Sequence, residues 1–382
     1  MRTHIWAAAL LAATLAGCDT EPEPLHPIDM TEPDRTEDYY ARHRAWKDSC
    51  LAPNYGGPVA FGWYGNWVGS GVSLENSLRG LPDSVALVSM WGNLFNLNET
   101  RQADMRYAQQ VKGLRVMMCF IVQNVGDGVT PPTVSSDAQA RTAFWQEQAA
   151  AKGMAADFSG AIRAYAHAIC DSIDKYGYDG FDWDYEPNYG HRGNIAGQRQ
   201  AEKAFAQALD ERLHPQGGPR KLLVIDGEPQ SVNAEVGPLF DYFIVQAYQC
   251  TGDYDLDSRY GSTRSQHQGS MTAAEVAKRY IVTENFETYA LTGGYTSYYK
   301  RGLGAWRGGG KAMPSLRGMA YRKPVVGADT LQKGGVGTYH MEYEYMPGQQ
   351  PSYPALRQAI QIMLGNIDPE GYYSNQQQTN NN

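Results

Sequence analysis

Residues 179–186 read Asp-Gly-Phe-Asp-Trp-Asp-Tyr-Glu, so that Asp182, Asp184 and Glu186 alternate with Phe181, Trp183 and Tyr185. A period of two is that of a β-strand, and the spacing predicts a strand with acids on one face and aromatic rings on the other. A solvated acidic turn would not place an aromatic ring at every alternate position. A calcium loop also alternates acids but needs Gly at its sixth position; counted from Asp182, that position is Pro187. Such a strand must bury its aromatic back and open a polar site at its front. Crowded carboxyls repel and lose hydration, which drives their proton affinities apart and leaves one protonated beside a charged neighbour. Acid-catalysed cleavage of a glycosidic bond uses that combination.

Around the octet, short β-rich runs alternate with helical ones, the pattern of a parallel α/β sheet or barrel. Strands are expected at 58–64, 84–91, 114–122, 180–185, 221–225 and 242–248, with the last two at 279–283 or 318–325 and at 335–341. Ile162, Tyr165, Ala166, Ile169 and Ile173 form a helical stripe that Gly177 stops. Helices are also expected at 199–213 and 354–364, and Thr272 with Glu275 forms a capping box. The polar stretch 251–269, with Tyr254 and Tyr260, is expected to be a long loop.

The pattern D-G-x-D-x-D-x-E resembles the signature of glycoside hydrolase family 18, the chitinases and endo-β-N-acetylglucosaminidases. The resemblance implies a (β/α)8 TIM barrel, a single catalytic domain over 51–368, with the octet as fourth strand and Glu186 at its C-terminal end, where barrel enzymes place their chemistry. It also implies a retaining reaction in which the substrate's own 2-acetamido oxygen attacks the anomeric carbon and forms an oxazolinium intermediate. Glu186 would protonate the leaving oxygen, Asp184 would hold the acetamido N–H, and Asp182 would share a proton with Asp184. Asp179 would organise the strand and stands with the substrate-binding candidates.

Residues 242–249 resemble the family's sixth strand, where Met-x-Tyr-Asp is common; here Gln246 replaces Met, Tyr248 keeps the Tyr and Gln249 replaces Asp. Tyr248 would bond the acetamido group beside Gln246. Tyr339, in the run 335–339, would be the floor of the −1 sugar site. The third strand has Cys119-Phe-Ile-Val-Gln-Asn124 in place of Ser-x-Gly-Gly. These departures favour an endo-β-N-acetylglucosaminidase acting on the chitobiose core of N-glycans; a chitinase and a non-catalytic glycan-binding protein on the same barrel are the alternatives. Gln123, Asn124, Glu228 and Glu342 are further candidates for the pocket lining. Neither a cofactor nor a metal is implied, since no Cys-x-x-Cys spacing occurs.

A charged start, a short apolar run and Leu15-Ala16-Gly17-Cys18 read as a signal peptide at 1–17. The last four residues resemble the bacterial lipobox, which implies lipidation of Cys18 and anchorage in the cell envelope, at the outer membrane; the acidic segment just after Cys18 resembles an outer-surface export signal, which implies the cell surface. Residues 18–50 form an acidic, Pro-rich tether and lead-in to the barrel. The tail 369–382 is polar and of low complexity. A net charge of −8 argues against nucleic acid as a partner. With 26 Tyr and 8 Trp, the chain has ample ring surface to stack on sugars. The expected context is a tethered monomer serving glycan uptake, with Cys50, Cys119, Cys170 and Cys250 as buried free thiols.

Overall fold

The structure, a computed structural model, describes residues 35–71, 73–301, 312–349 and 351–367. The signal segment, Cys18, most of the tether and the polar tail lie outside the described residues.

Helix α1 (Glu37–Cys50) precedes a barrel of strands β1 (Val59–Tyr64), β2 (Val85–Met90), β3 (Arg115–Ile121), β4 (Gly180–Tyr185), β5 (Leu222–Gly227), β6 (Tyr242–Gln246), β7 (Tyr280–Asn285) and β8 (Gly335–Tyr339). Every barrel strand runs parallel to its neighbours, and β1 closes on β8. Helices α2 (Glu99–Gln110), α3 (Ala138–Ala151), α4 (Phe158–Tyr176), α5 (Arg199–Leu213), α6 (Asp253–His267), α7 (Ala273–Arg279), the single turn α8 (Phe286–Tyr289), α9 (Ser315–Tyr321) and α10 (Pro354–Met363) follow in the connections. No described helix is long and apolar enough to cross a membrane.

Alternation along the strands divides the apolar residues into two layers. Val59, Phe61, Leu87, Met117, Val224, Ile244 and Ile281 pack in the barrel interior, while Phe181, Trp183 and Tyr185 belong to the shell between sheet and helices. Trp183 meets Phe205 of α5 edge-on at 4.9 Å, and Phe205 stacks on Tyr165 of α4 at 5.5 Å. Residues 162, 165, 166, 169 and 173 of α4 are buried as the stripe requires. Its C-cap is Gly177 at φ 79, a left-handed position that glycine takes without a side-chain clash. At the start of α7, Thr272 and Glu275 satisfy each other's backbone N–H groups.

One expectation is corrected and one alternative is resolved. Residues 251–269 are not a loop: most of them form α6, whose buried side chains are Asp253, Leu256, Tyr260, Thr263 and His267. A stripe with so few apolar members carries little hydrophobic period. The seventh strand is Tyr280–Asn285, at the first of the two expected positions, and α9 occupies half of the competing segment 318–325.

Candidate active site

β4 carries Asp182 and Asp184 into the barrel, and Glu186 follows its last residue at the start of a short turn, Pro187–Tyr189. The parallel register sets Asp184 against Asp226 of β5 and Cys119 of β3 against Asp182. Asp182 is fully buried; its Oδ2 accepts from Ser89 Oγ at 2.6 Å and Trp63 Nε1 at 3.2 Å. Burial pushes its carboxyl up to about 6 against those donors, which favour the charged form. Asp226 faces Asp182 and is raised well above the usual carboxylate range by burial and by its charged neighbours, Asp182 first. The two carboxyls therefore hold one proton between them. Cys119, Asp182 and Asp226 bring donor atoms within 4.8 Å of one another. Two hydrogen bonds already engage Asp182, and burial and the adjacent acids hold the Cys119 thiol protonated, so the arrangement suits a shared proton.

Above this pair, Asp184 is also raised strongly, by burial first and then by Glu186 and Asp182. Its Oδ1 is buried without a hydrogen-bond partner. An orphaned buried carboxyl oxygen is costly for the fold and marks a place where a ligand donor can bind. Glu186 is held from β6, beyond β5: Gln246 Nε2 donates to Oε1 at 2.7 Å and reaches Asp226 Oδ1 at 3.3 Å. Gly227, at φ 84, lets β5 turn away close by; a Cβ there would lie 2.9 Å from Glu186 Cγ and 2.7 Å from Tyr185 O.

Two cavities meet at Glu186. One, of about 500 Å³, is walled by Trp63, Trp91, Cys119, Asp184, Tyr248 and Tyr339. Its rings interlock, with Tyr339 centred 5.7 Å from Trp91, 6.2 Å from Trp63 and 6.1 Å from Tyr248. The other, of about 470 Å³, lies between Glu186, Tyr189, Glu228, Gln230 and three residues of α6, Ser258, Arg259 and Ser262. Glu186, Gln246 and Tyr248 line both.

The fold thus brings Asp182, Asp184, Glu186, Gln246, Tyr248 and Tyr339 together at the C-terminal mouth of the barrel. Asp179 is not among them. Its carboxyl accepts from Val116 N at 2.8 Å and Gln109 Nε2 at 2.9 Å at the start of β4, so it ties strands at the opposite end of the barrel and meets no substrate. Glu228 lines the second cavity and accepts from Asn188 N and Nδ2. Glu342 is buried and engaged by His340 and Asn66. Asn124 serves the loop around Asn194, and Gln123 turns its amide to His191. Asp226 escaped the sequence reading although it was visible there, as a lone acid ending the apolar run 222–225. Arg259 had no such signal, because its segment reads as a loop. The four described cysteines are free and buried.

The profile of "Glycoside hydrolase family 18, BT1044-like" matches residues 18–362. A solved structure of BT1044, a selenomethionine glutamate-to-glutamine variant, is 32% identical and superposes with a TM-score of 0.71, covering 87% of this chain and 93% of that one. The endo-β-N-acetylglucosaminidase of Cordyceps militaris, in its apo form, shares the fold at 16% identity and a TM-score of 0.55, over 87% of this chain and 97% of that one. A doubly substituted form of that enzyme, in complex with fucosyl-N-acetylglucosamine-Asn, superposes with a TM-score of 0.54 at the same identity and coverage. No curated protein matches the chain significantly. With the family profile running through most of its length and BT1044 alike along nearly the whole chain, this protein belongs to glycoside hydrolase family 18 and is a glycosidase of the chitinase and endo-β-N-acetylglucosaminidase type.

Proposed function

We propose that this enzyme is an endo-β-N-acetylglucosaminidase that hydrolyses the β-1,4 bond of the N-glycan chitobiose core. The observation carrying this reading is the shape of the cavity on the leaving-group side, beyond Glu186. There Ser258, Arg259 and Ser262 of α6 face Glu186, Tyr189, Glu228 and Gln230 around a space of about 470 Å³. A cavity bounded in this way suits a short leaving group, one N-acetylglucosamine on its Asn, better than a chitin chain that must run on through further sites. The Cordyceps enzyme was captured with a ligand of that kind, fucosyl-N-acetylglucosamine-Asn.

In this reading the −1 N-acetylglucosamine lies over Tyr339, between Trp63 and Trp91, with its acetamido group directed at Asp184 and Tyr248. The acetamido N–H meets the orphaned Asp184 oxygen, and the acetamido oxygen attacks the anomeric carbon as Glu186 protonates the departing oxygen. Glu186 then takes a proton from the water that opens the oxazolinium ring. Asp184 ionises as positive charge develops above it, passing its proton toward the Asp182–Asp226 pair. No nucleophilic carboxylate across the ring is required.

Mass spectrometry of a high-mannose glycoprotein treated with the enzyme tests the assignment. The expected result is release of the glycan with one N-acetylglucosamine left on Asn. Cleavage of chitin oligomers with the glycoprotein untouched would replace this reading by that of a chitinase.

The lipobox-like sequence supports a second, separate reading: lipidation of Cys18 anchors the enzyme in the cell envelope, facing glycans outside the cell. Wild-type protein expressed in a Gram-negative host should partition with membranes and into the detergent phase, and Cys18→Ala should be released. Equal partitioning of the two would remove the anchor.

A further inference from the structure

We infer that His191 is a positioning residue for Glu186, setting the pH at which the acid gives up its proton and steadying the carboxylate that exists between the two half-reactions. The chain is built to bring it there. After β4, the turn Pro187–Tyr189 and Gly190, at φ 93, fold the backbone back so that both Tyr189 N and His191 N donate to Glu186 O. The ring then sits with Nε2 3.7 Å from Glu186 Oε2, within ion-pair range once protonated. Oε1, the other oxygen, is taken by Gln246. The two oxygens of the general acid therefore face two different partners, and only one partner can change its charge.

The ring is held from behind as well. Its Nδ1 lies 2.8 Å from Gln123 Nε2. With that amide donating, the neutral imidazole carries its proton on Nε2, directed at Glu186. Gln123 is itself fixed, since its carbonyl accepts from Ile195 N and Ala196 N and its N–H donates to Asp127 Oδ2.

The other charged groups around the pair define the problem that His191 meets. Asp184 and Asp226 lie beneath Glu186, and Glu228 holds Asn188 on the same turn. Arg259 stands across the leaving-side cavity, the Asp127–Arg141 pair lies behind Gln123, and Arg192 packs against Gly197. Once Asp184 has ionised, the Glu186 carboxylate produced by the first proton transfer has a negative neighbour and is disfavoured unless a donor faces it. An N–H or a positive ring facing Oε2 offsets that. The inference requires only the acid–base role of Glu186 and is independent of which glycan is cleaved.

Two variants should act in opposite directions. His191→Ala removes the donor, so the falling high-pH limb of kcat/KM moves to higher pH, by about one unit for a contact at this range. Gln123→Glu places a carboxylate on Nδ1, makes the ring cationic, and moves the same limb to lower pH. KM at the optimum should change little in either. Superimposable pH profiles, or shifts in the same direction for both, would overturn the inference. A readout without substrate accompanies the kinetics: ¹⁵N chemical shifts of the His191 ring, assigned by comparison with His191→Ala. They should show the proton on Nε2 in the wild type and a mixed or Nδ1-protonated ring in Gln123→Ala. An unchanged tautomer in that variant would equally count against the arrangement.

Discussion

Glu186→Gln is expected to lower kcat roughly 10²–10⁴-fold, the contribution of a well-placed general acid, while substrate still binds. The amide has the size of the acid and can keep its oxygen toward Gln246 Nε2, which now donates to Glu186 Oε1 at 2.7 Å. What disappears is the proton for the leaving oxygen and, later, the base for water. Isothermal titration with an intact glycopeptide separates the two effects: affinity within a few-fold of wild type, turnover nearly gone. An enzyme that kept most of its kcat would show that another group supplies the proton, and the assignment of Glu186 would fail. Thermal stability should not suffer, because the substitution takes one acid out of a cluster that already contains Asp182, Asp184 and Asp226.

Asp184→Asn should cost roughly 10²–10³-fold in kcat/KM, on the scale of losing one electrostatic stabiliser of the transition state. The variant also makes a prediction about folding, whose sign follows from the raised proton affinity. In the folded chain Asp184 holds its proton well above the usual carboxylate range, through burial and the charges of Glu186 and Asp182. The unfolded carboxyl ionises near pH 4. Between these limits the folded state binds more protons than the unfolded state, so stability falls as pH rises through that window. Asn titrates nowhere in it. Melting temperatures of variant and wild type should therefore be close near pH 4 and separate as pH rises, with the variant the more stable at pH 8. A variant less stable than wild type at pH 8 would mean that the ionised Asp184 makes a structural bond absent from this site. The expected outcome is a trade of stability against activity, with the strain held where the chemistry occurs.

These effects arise from residues whose visibility in the sequence differed sharply. Asp182, Asp184 and Glu186 could be placed on one face of a strand because period-two alternation is local, and Phe181, Trp183 and Tyr185 confirmed it from the other face. The stripe on α4 and the capping box of α7 were legible for the same reason: each is a pattern within one turn or one element. The helix α6 was not legible, because its buried face uses Asp253, Thr263 and His267 beside Leu256 and Tyr260, residue types that hydrophobic periodicity does not register. Asp179 misled in the opposite direction. It sits in the octet, yet the strand's length carries it to the far end of the barrel, where Val116 and Gln109 hold it.

By itself, then, the sequence determined the alternation of strands and helices, the family and the three acids of β4. These follow from the order of residues along a single element and from a motif that is contiguous. Only the tertiary structure decided which side chains from other strands meet those acids. Asp226 shares a proton with Asp182 because parallel register sets β5 against β4, and Gln246 holds one oxygen of Glu186 from β6, one strand further round the barrel. His191 faces the other oxygen because a tight turn reverses the chain, and Arg259 lines the second cavity because α6 carries it there. Proton affinities depend on burial and on charges within a few ångströms, and those distances exist only once the barrel has closed.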